Sequence, residues 1–121
     1  MAQQRVKFES ALIVAPLDLK DIGAEAYKAI VLPAGAEILQ VNLEVSSGAD
    51  TSVTASIGLD DDDDFFSAAI AVDSATRLNS SVVTSLKQKG FVTIKLSQAA
   101  TKGEATLRVH FFYPSERVLE V

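Results

Sequence analysis

Four stretches of this 121-residue chain alternate apolar and polar side chains with period two, and a chain so written is committed to β-structure. In Leu39-Gln40-Val41-Asn42-Leu43-Glu44-Val45-Ser46 every odd position is apolar. The same holds for Ser52-Val53-Thr54-Ala55-Ser56-Ile57-Gly58-Leu59. In Phe91-Val92-Thr93-Ile94-Lys95-Leu96-Ser97, the residues Val92, Ile94 and Leu96 share one side. Ala105, Leu107, Val109, Phe111 and Tyr113 alternate with Glu104, Thr106, Arg108, His110 and Phe112. Successive side chains of a strand point to opposite faces, so each stretch reads as a strand with one buried face.

Other segments are less regular. Phe8 to Ala15 reads as a strand whose ALIVA portion is covered on both faces. Ala24 to Leu32 alternates loosely, with Tyr27, Ala29 and Val31 on one side. Arg77 to Leu86 holds a further strand or a long connection. Turn residues punctuate the chain at Pro16, Pro33-Ala34-Gly35, Ser47-Gly48-Ala49-Asp50, Gly90 and Lys102-Gly103. Short strands at this spacing argue an all-β antiparallel sandwich, jelly-roll-like, built as a single domain over residues 1–121. Short arms flank it, at about residues 1–7 and 114–121. No internal repeat is present.

The chain has no cysteine, which removes disulfides, thiolate zinc sites and cysteine nucleophiles, and fits folding inside a cell. No apolar run approaches the roughly 18 residues of a membrane span, and ALIVA is too short for a signal segment, so a soluble protein is expected. The net charge is −5, from 16 acidic and 11 basic residues. Five of the acids are Asp60 to Asp64, so the rest of the chain is balanced at eleven of each sign. A neutral body with one acidic run offers no electrostatic footprint for nucleic acid and no basic segment for anionic membranes.

The aspartate run Asp60, Asp61, Asp62, Asp63 and Asp64 admits three readings. Hard cations such as Ca2+ take several carboxylate oxygens, which an aspartate-rich turn could supply, yet the spacing of a calcium-binding helix–loop–helix is missing. Adjacent residues also cannot all point at one ion. The plainer reading is a solvated corner whose last member, Asp64, caps a helical turn. Phe65, Ala68, Ala69 and Val72 stand at helical spacing, so this segment is expected to form one or two turns of helix or a short strand from Ala68 to Val72. An acid pair for glycoside hydrolysis is weaker still, because such carboxyls come from separate strands across a cleft.

His110 is the single histidine, and no strained nucleophile turn of the G-x-S-x-G type accompanies it, so no catalytic residue is assigned. Phe111 and Tyr113 belong to the core side of the last strand, leaving Arg108, His110 and Phe112 on the polar side as a candidate interface. In the C-terminal arm Val118, Leu119 and Val121 are apolar residues that the domain does not need. Such arms either add to a neighbour's sheet edge or pair within their own domain.

The order of these features resembles a group of small virion structural proteins of tailed bacteriophages. The likeness runs from Val31 to Tyr113. It rests on the LPAG turn leading into a strand, the acidic corner, the aromatic–alanine segment after it, and the closing strand Thr101-Lys102-Gly103-Glu104-Ala105-Thr106-Leu107-Arg108-Val109-His110-Phe111. The resemblance implies a capsid decoration, or cement, protein, made in the host cytoplasm and placed on the outer surface of the head. It further implies a homotrimer that contacts the major capsid protein and has no catalytic residues. A calcium-dependent ligand- or carbohydrate-binding module and a tail or fibre component are the alternatives.

Overall fold

The computed structural model describes the backbone of residues 3–120 and the side chains of residues 4–115. The strands are β1 (Gln3–Lys7), β2 (Ser10–Asp18), β3 (Tyr27–Leu32), β4 (Glu37–Ser47), β5 (Thr54–Leu59) and β6 (Asp62–Ala71). They continue with β7 (Thr76–Asn79), β8 (Thr84–Ser85), β9 (Gly90–Leu96), β10 (Glu104–Phe112) and β11 (Glu116–Glu120). The one helical turn among the described residues is a 3-10 turn at Leu19–Asp21, begun by Asp18, whose carboxylate accepts from the Lys20 N–H at 3.3 Å.

One sheet runs β2-β10-β4-β7, with β8 also against β4, and the other runs β3-β9-β5-β6. Every pairing is antiparallel. The result is an all-β sandwich, as the alternation requires. Leu43, Val45, Leu107, Val109 and Phe111 of the first sheet and Ile57, Val92, Ile94 and Leu96 of the second are buried in one continuous core. Each fully buried side chain of this kind stabilises the fold by roughly 1.5–3 kcal/mol. The four strands that alternate most regularly in sequence, β4, β5, β9 and β10, are the central ones.

Departures from strict alternation have local causes. Leu39 is exposed because β4 carries an extra residue opposite the step from His110 to Phe111. Tyr113, expected in the core, lies just past the end of β10 and is exposed, its ring set edge-on to Phe111 at 5.0 Å. Leu12 and Val14 are 56% and 52% exposed, so the ALIVA segment is covered on one face only. Arg77 to Leu86 resolves into β7, β8 and their connection.

The segment after the aspartates is strand, not helix. Its core residues Phe66 and Ile70 stand four apart, a spacing that reads as helical. The cause is a bulge: Ala68 and Ala69 swing out to solvent, with Ala69 at φ 52°. Asp64 therefore caps nothing helical. The corner itself is only Asp60 and Asp61, with Asp60 at φ 53°, while Asp62 to Asp64 open β6.

The two arms pair with each other. Gln3 lies opposite Glu120 and Lys7 opposite Glu116, in a two-stranded sheet separate from the sandwich. This ribbon prolongs the β2–β10 ladder, linked to it by the bond from the Tyr113 N–H to the Glu9 carbonyl at 2.8 Å. Its root rests on the LPAG corner. Gly35, at φ 84°, is pressed so close to Pro114 that a Cβ there would sit 2.8 Å from the proline Cβ. Lys7 Nζ donates to the carbonyls of Gly35 and Pro114 at 3.4 and 3.3 Å.

Candidate interaction surfaces

The outer face of the β2-β10-β4-β7 sheet divides into a polar half and an apolar margin. The ladder sets rows across it: Leu12–His110–Gln40, then Val14–Arg108–Asn42, then Pro16–Thr106–Glu44. Toward β7 the groups are tied together. Glu44 Oε1 takes Arg108 Nη2 at 3.0 Å, and its Oε2 takes Arg77 Nη2 at 2.9 Å. Arg108 Nη1 donates to Asn42 Oδ1 at 3.2 Å, and Asn42 Nδ2 donates to Asn79 Oδ1 at 2.7 Å. The Arg108 hydrogen bond and then Arg77 hold the Glu44 carboxyl below its ordinary value.

Of the expected interface residues, Arg108 is thus engaged inside its own sheet. His110 and Phe112 are half-buried beside it, their rings 5.9 Å apart. Val118 and Leu119 fall on β11, opposite Arg5 and Gln4, and their side chains lie outside the described residues, as does Val121 altogether.

Geometry scatters the five aspartates. Asp60 is bound into the fold, its Oδ1 accepting from the Phe91 N–H and its own N–H donating to the Phe91 carbonyl, both at 2.9 Å. Asp63 pairs with Lys95 at 3.2 Å. Asp61, Asp62 and Asp64 are exposed. Among the described residues no three carboxylates or imidazoles converge as metal ligands. The crowding here is of backbone: a Cβ on Gly58 would meet the Asp62 carbonyl oxygen and lie 2.6 Å from the Asp63 carbonyl carbon. Thr93, opposite Gly58 in the ladder, is 2% exposed, and its hydroxyl has no partner. Asp50 is a structural tie of the same kind. It accepts the Thr101 N–H at 2.6 Å and the Thr101 hydroxyl at 2.7 Å, bonds that hold its carboxyl below the usual range.

The apolar margin is what sequence reasoning missed. Leu12 and Val14 are exposed along β2, with Phe8 just before it, and Tyr27 and Val31 along β3. These two strands are the corresponding margins of the two sheets, joined through the 3-10 turn. Pro16 was the available signal, because a proline inside a strand marks an edge.

No family model matches the sequence, and no curated protein matches it significantly. Solved structures do share its fold. A chain in the acidic stable capsid structure of Helicobacter pylori bacteriophage KHP30 superposes with a TM-score of 0.80 at 24% identity, over 99% of this chain and 100% of that one. A chain of the Cyanophage Pam1 capsid asymmetric unit matches at a TM-score of 0.67 and 19% identity, over 87% and 85%. One in the capsid of Ralstonia phage GP4 matches at 0.68 and 15%, over 91% and 87%. At these identities the likeness establishes the fold.

Proposed function

We propose that this chain is a bacteriophage virion protein of the decoration type, binding the outer surface of the head between major capsid subunits. The observation that carries the reading is the end-to-end match, over 99% and 100% of the two chains, to a chain in a phage capsid structure. The strand order supports it, since β2-β10-β4-β7 facing β3-β9-β5-β6 is the wrapping of an eight-stranded jelly roll, a fold that recurs in viral capsid domains. Side chains on the sandwich face tie to one another, which supports a role that works by contact.

A homotrimer bridging several shell subunits would convert weak individual contacts into avidity. The test is addition of the purified chain to heads lacking it, followed by co-sedimentation and imaging. Regular density on the outer surface, with a solution mass of three copies or a multiple of three, is the expected result. Failure to co-sediment, or density confined to the tail or the inside of the shell, would refute it.

A further inference from the structure

The open edge of β2 is regular, uncharged and built to receive another strand. Its pairing with β10 runs from Ser10 opposite Phe112 to Asp18 opposite Glu104 without a shift. No charged residue lies between Glu9 and Asp18. The direction of its backbone groups follows from the neighbouring ladders. The Val41 carbonyl accepts from Ser80, so Val41 points away from β10. Its ladder neighbour Val109 must then point toward β2, where Ile13 meets it. The bonds from Tyr113 to Glu9 and from Leu19 to Gly103 keep the same parity. Odd residues of β2 therefore bond to β10, and Ser10, Leu12, Val14 and Pro16 aim their backbone outward. This explains Pro16 in mid-strand, since the N–H it lacks would have pointed at the open side.

We propose that a second copy of this chain pairs antiparallel with this edge through Ser10–Pro16, carrying the sheet β2-β10-β4-β7 from one copy into the next. A natural sheet normally blunts an open edge with charge, bulges or a cover, and β2 has none of these in its N-terminal half. The other margins of the sandwich cannot offer a matching strand. β3 carries a register shift, β6 carries two, and β7 and β8 are four and two residues long. The ribbon strands β1 and β11 are regular but charged, at Arg5 and Lys7 and at Glu116, Arg117 and Glu120. The regular uncharged stretch that fits the edge is that of β2 itself. About a two-fold axis Leu12 of one copy lies opposite Val14 of the other, each donating and accepting, and no like charges meet. Pro16 ends the ladder because it has no N–H to return. The exposed Leu12 and Val14 side chains then cover each other across the axis.

This contact goes beyond the decoration reading and does not depend on it. It is also distinct from a ring of three: where both form, copies assemble in sixes. The experiment is analytical ultracentrifugation of the purified full chain, with Val14→Lys, Leu12→Lys and, on the far side, Val83→Lys, whose side chain is 62% exposed. Unchanged circular dichroism and a cooperative melt confirm that each variant folds, the two β2 variants melting lower by the lost contact alone. The wild type and Val83→Lys are expected to share one mass, and the two β2 variants to show half of it. Equal masses for all four overturn the proposal, as does halving by Val83→Lys. A wild type that is single alone, but loses head binding on Val14→Lys, overturns it too and gives the edge to a shell strand. Since no heads are present in the mass measurement, loss of the decoration role would leave this contact standing.

Discussion

β2 and β6 are both margins of the same sandwich, yet they treat their outer side in opposite ways. β6 opens with Asp62, Asp63 and Asp64 and is bulged twice against β5. Its Phe66 carbonyl is closed by the Ser80 hydroxyl at 2.8 Å. Charge, bulge and cap are the devices by which sheet edges avoid pairing with other chains. β2 is unbulged and uncharged from Ser10 to Leu17, with its outward carbonyls and N–H groups in register and its outward Leu12 and Val14 apolar. The difference teaches that the acidic run is protective, and that the quiet apolar strand is where contact with another chain is to be sought.

The sharpest way to break that comparison is a proline pair in β2. Ala15→Pro removes an N–H aimed at β10 and leaves the Leu107 carbonyl short of its donor, a loss of about 3 kcal/mol. Val14→Pro removes one aimed at the open side and, measured at a dilution where copies are separate, should cost no more than about 1 kcal/mol. Urea titration reads both, and similar losses at the two positions would show that the assigned parity is wrong. Next in size is Gly58→Ala on the β6 side. Its Cβ meets the backbone of the bulge rather than a movable side chain, so a loss of about 2–3 kcal/mol is expected by the same titration. Free tolerance of alanine would mean that the bulge is not held over Gly58.

Acid supplies a smaller effect. The folded carboxyls of Glu44 and Asp50 lie below their ordinary values of about 4.3 and 3.9. Their contribution is therefore present above those values and is lost as pH falls through the lowered folded ones. Melting temperature should decline below about pH 4, and Glu44→Gln and Asp50→Asn should each flatten that decline. A wild-type slope in both variants would exclude these ties as its source. The smallest effect is calcium: added Ca2+ or a chelator should leave the melting temperature in place, because Asp60 and Asp63 are already bound within the fold. A calcium-dependent rise that Asp61→Asn removes would restore an ion site to the corner.

The legible part of this fold was its centre. β4, β5, β9 and β10 are buried on one face by strands of their own chain, so burial wrote period two directly into their residues. The margins are legible only in part, because a bulge changes the count. Ala68 and Ala69 put Phe66 and Ile70 at helical spacing, and an extra residue exposes Leu39 in an otherwise perfect alternation. Arg108, His110 and Phe112, expected at an interface, lie on the outer face of the β10 sheet. The carboxylate that claims Arg108 sits 64 positions earlier, beyond the reach of any local pattern. That β2 is apolar on both sides was visible, and what it meant was not: a covered strand and an edge awaiting a partner carry the same residues, and only Pro16 tells them apart.

The pairing of Gln3 with Glu120 leaves the two ends of the described chain side by side, a strand spacing of about 5 Å apart. A peptide of a few residues could join them head to tail without straining the ladder. Closing a ring of this length would restrict the unfolded chain and, on loop-closure grounds, raise stability by up to about 4–5 kcal/mol. New ends could then be opened at the Asp60–Asp61 corner, giving a circular permutant with the same sandwich and its strands read in a different order.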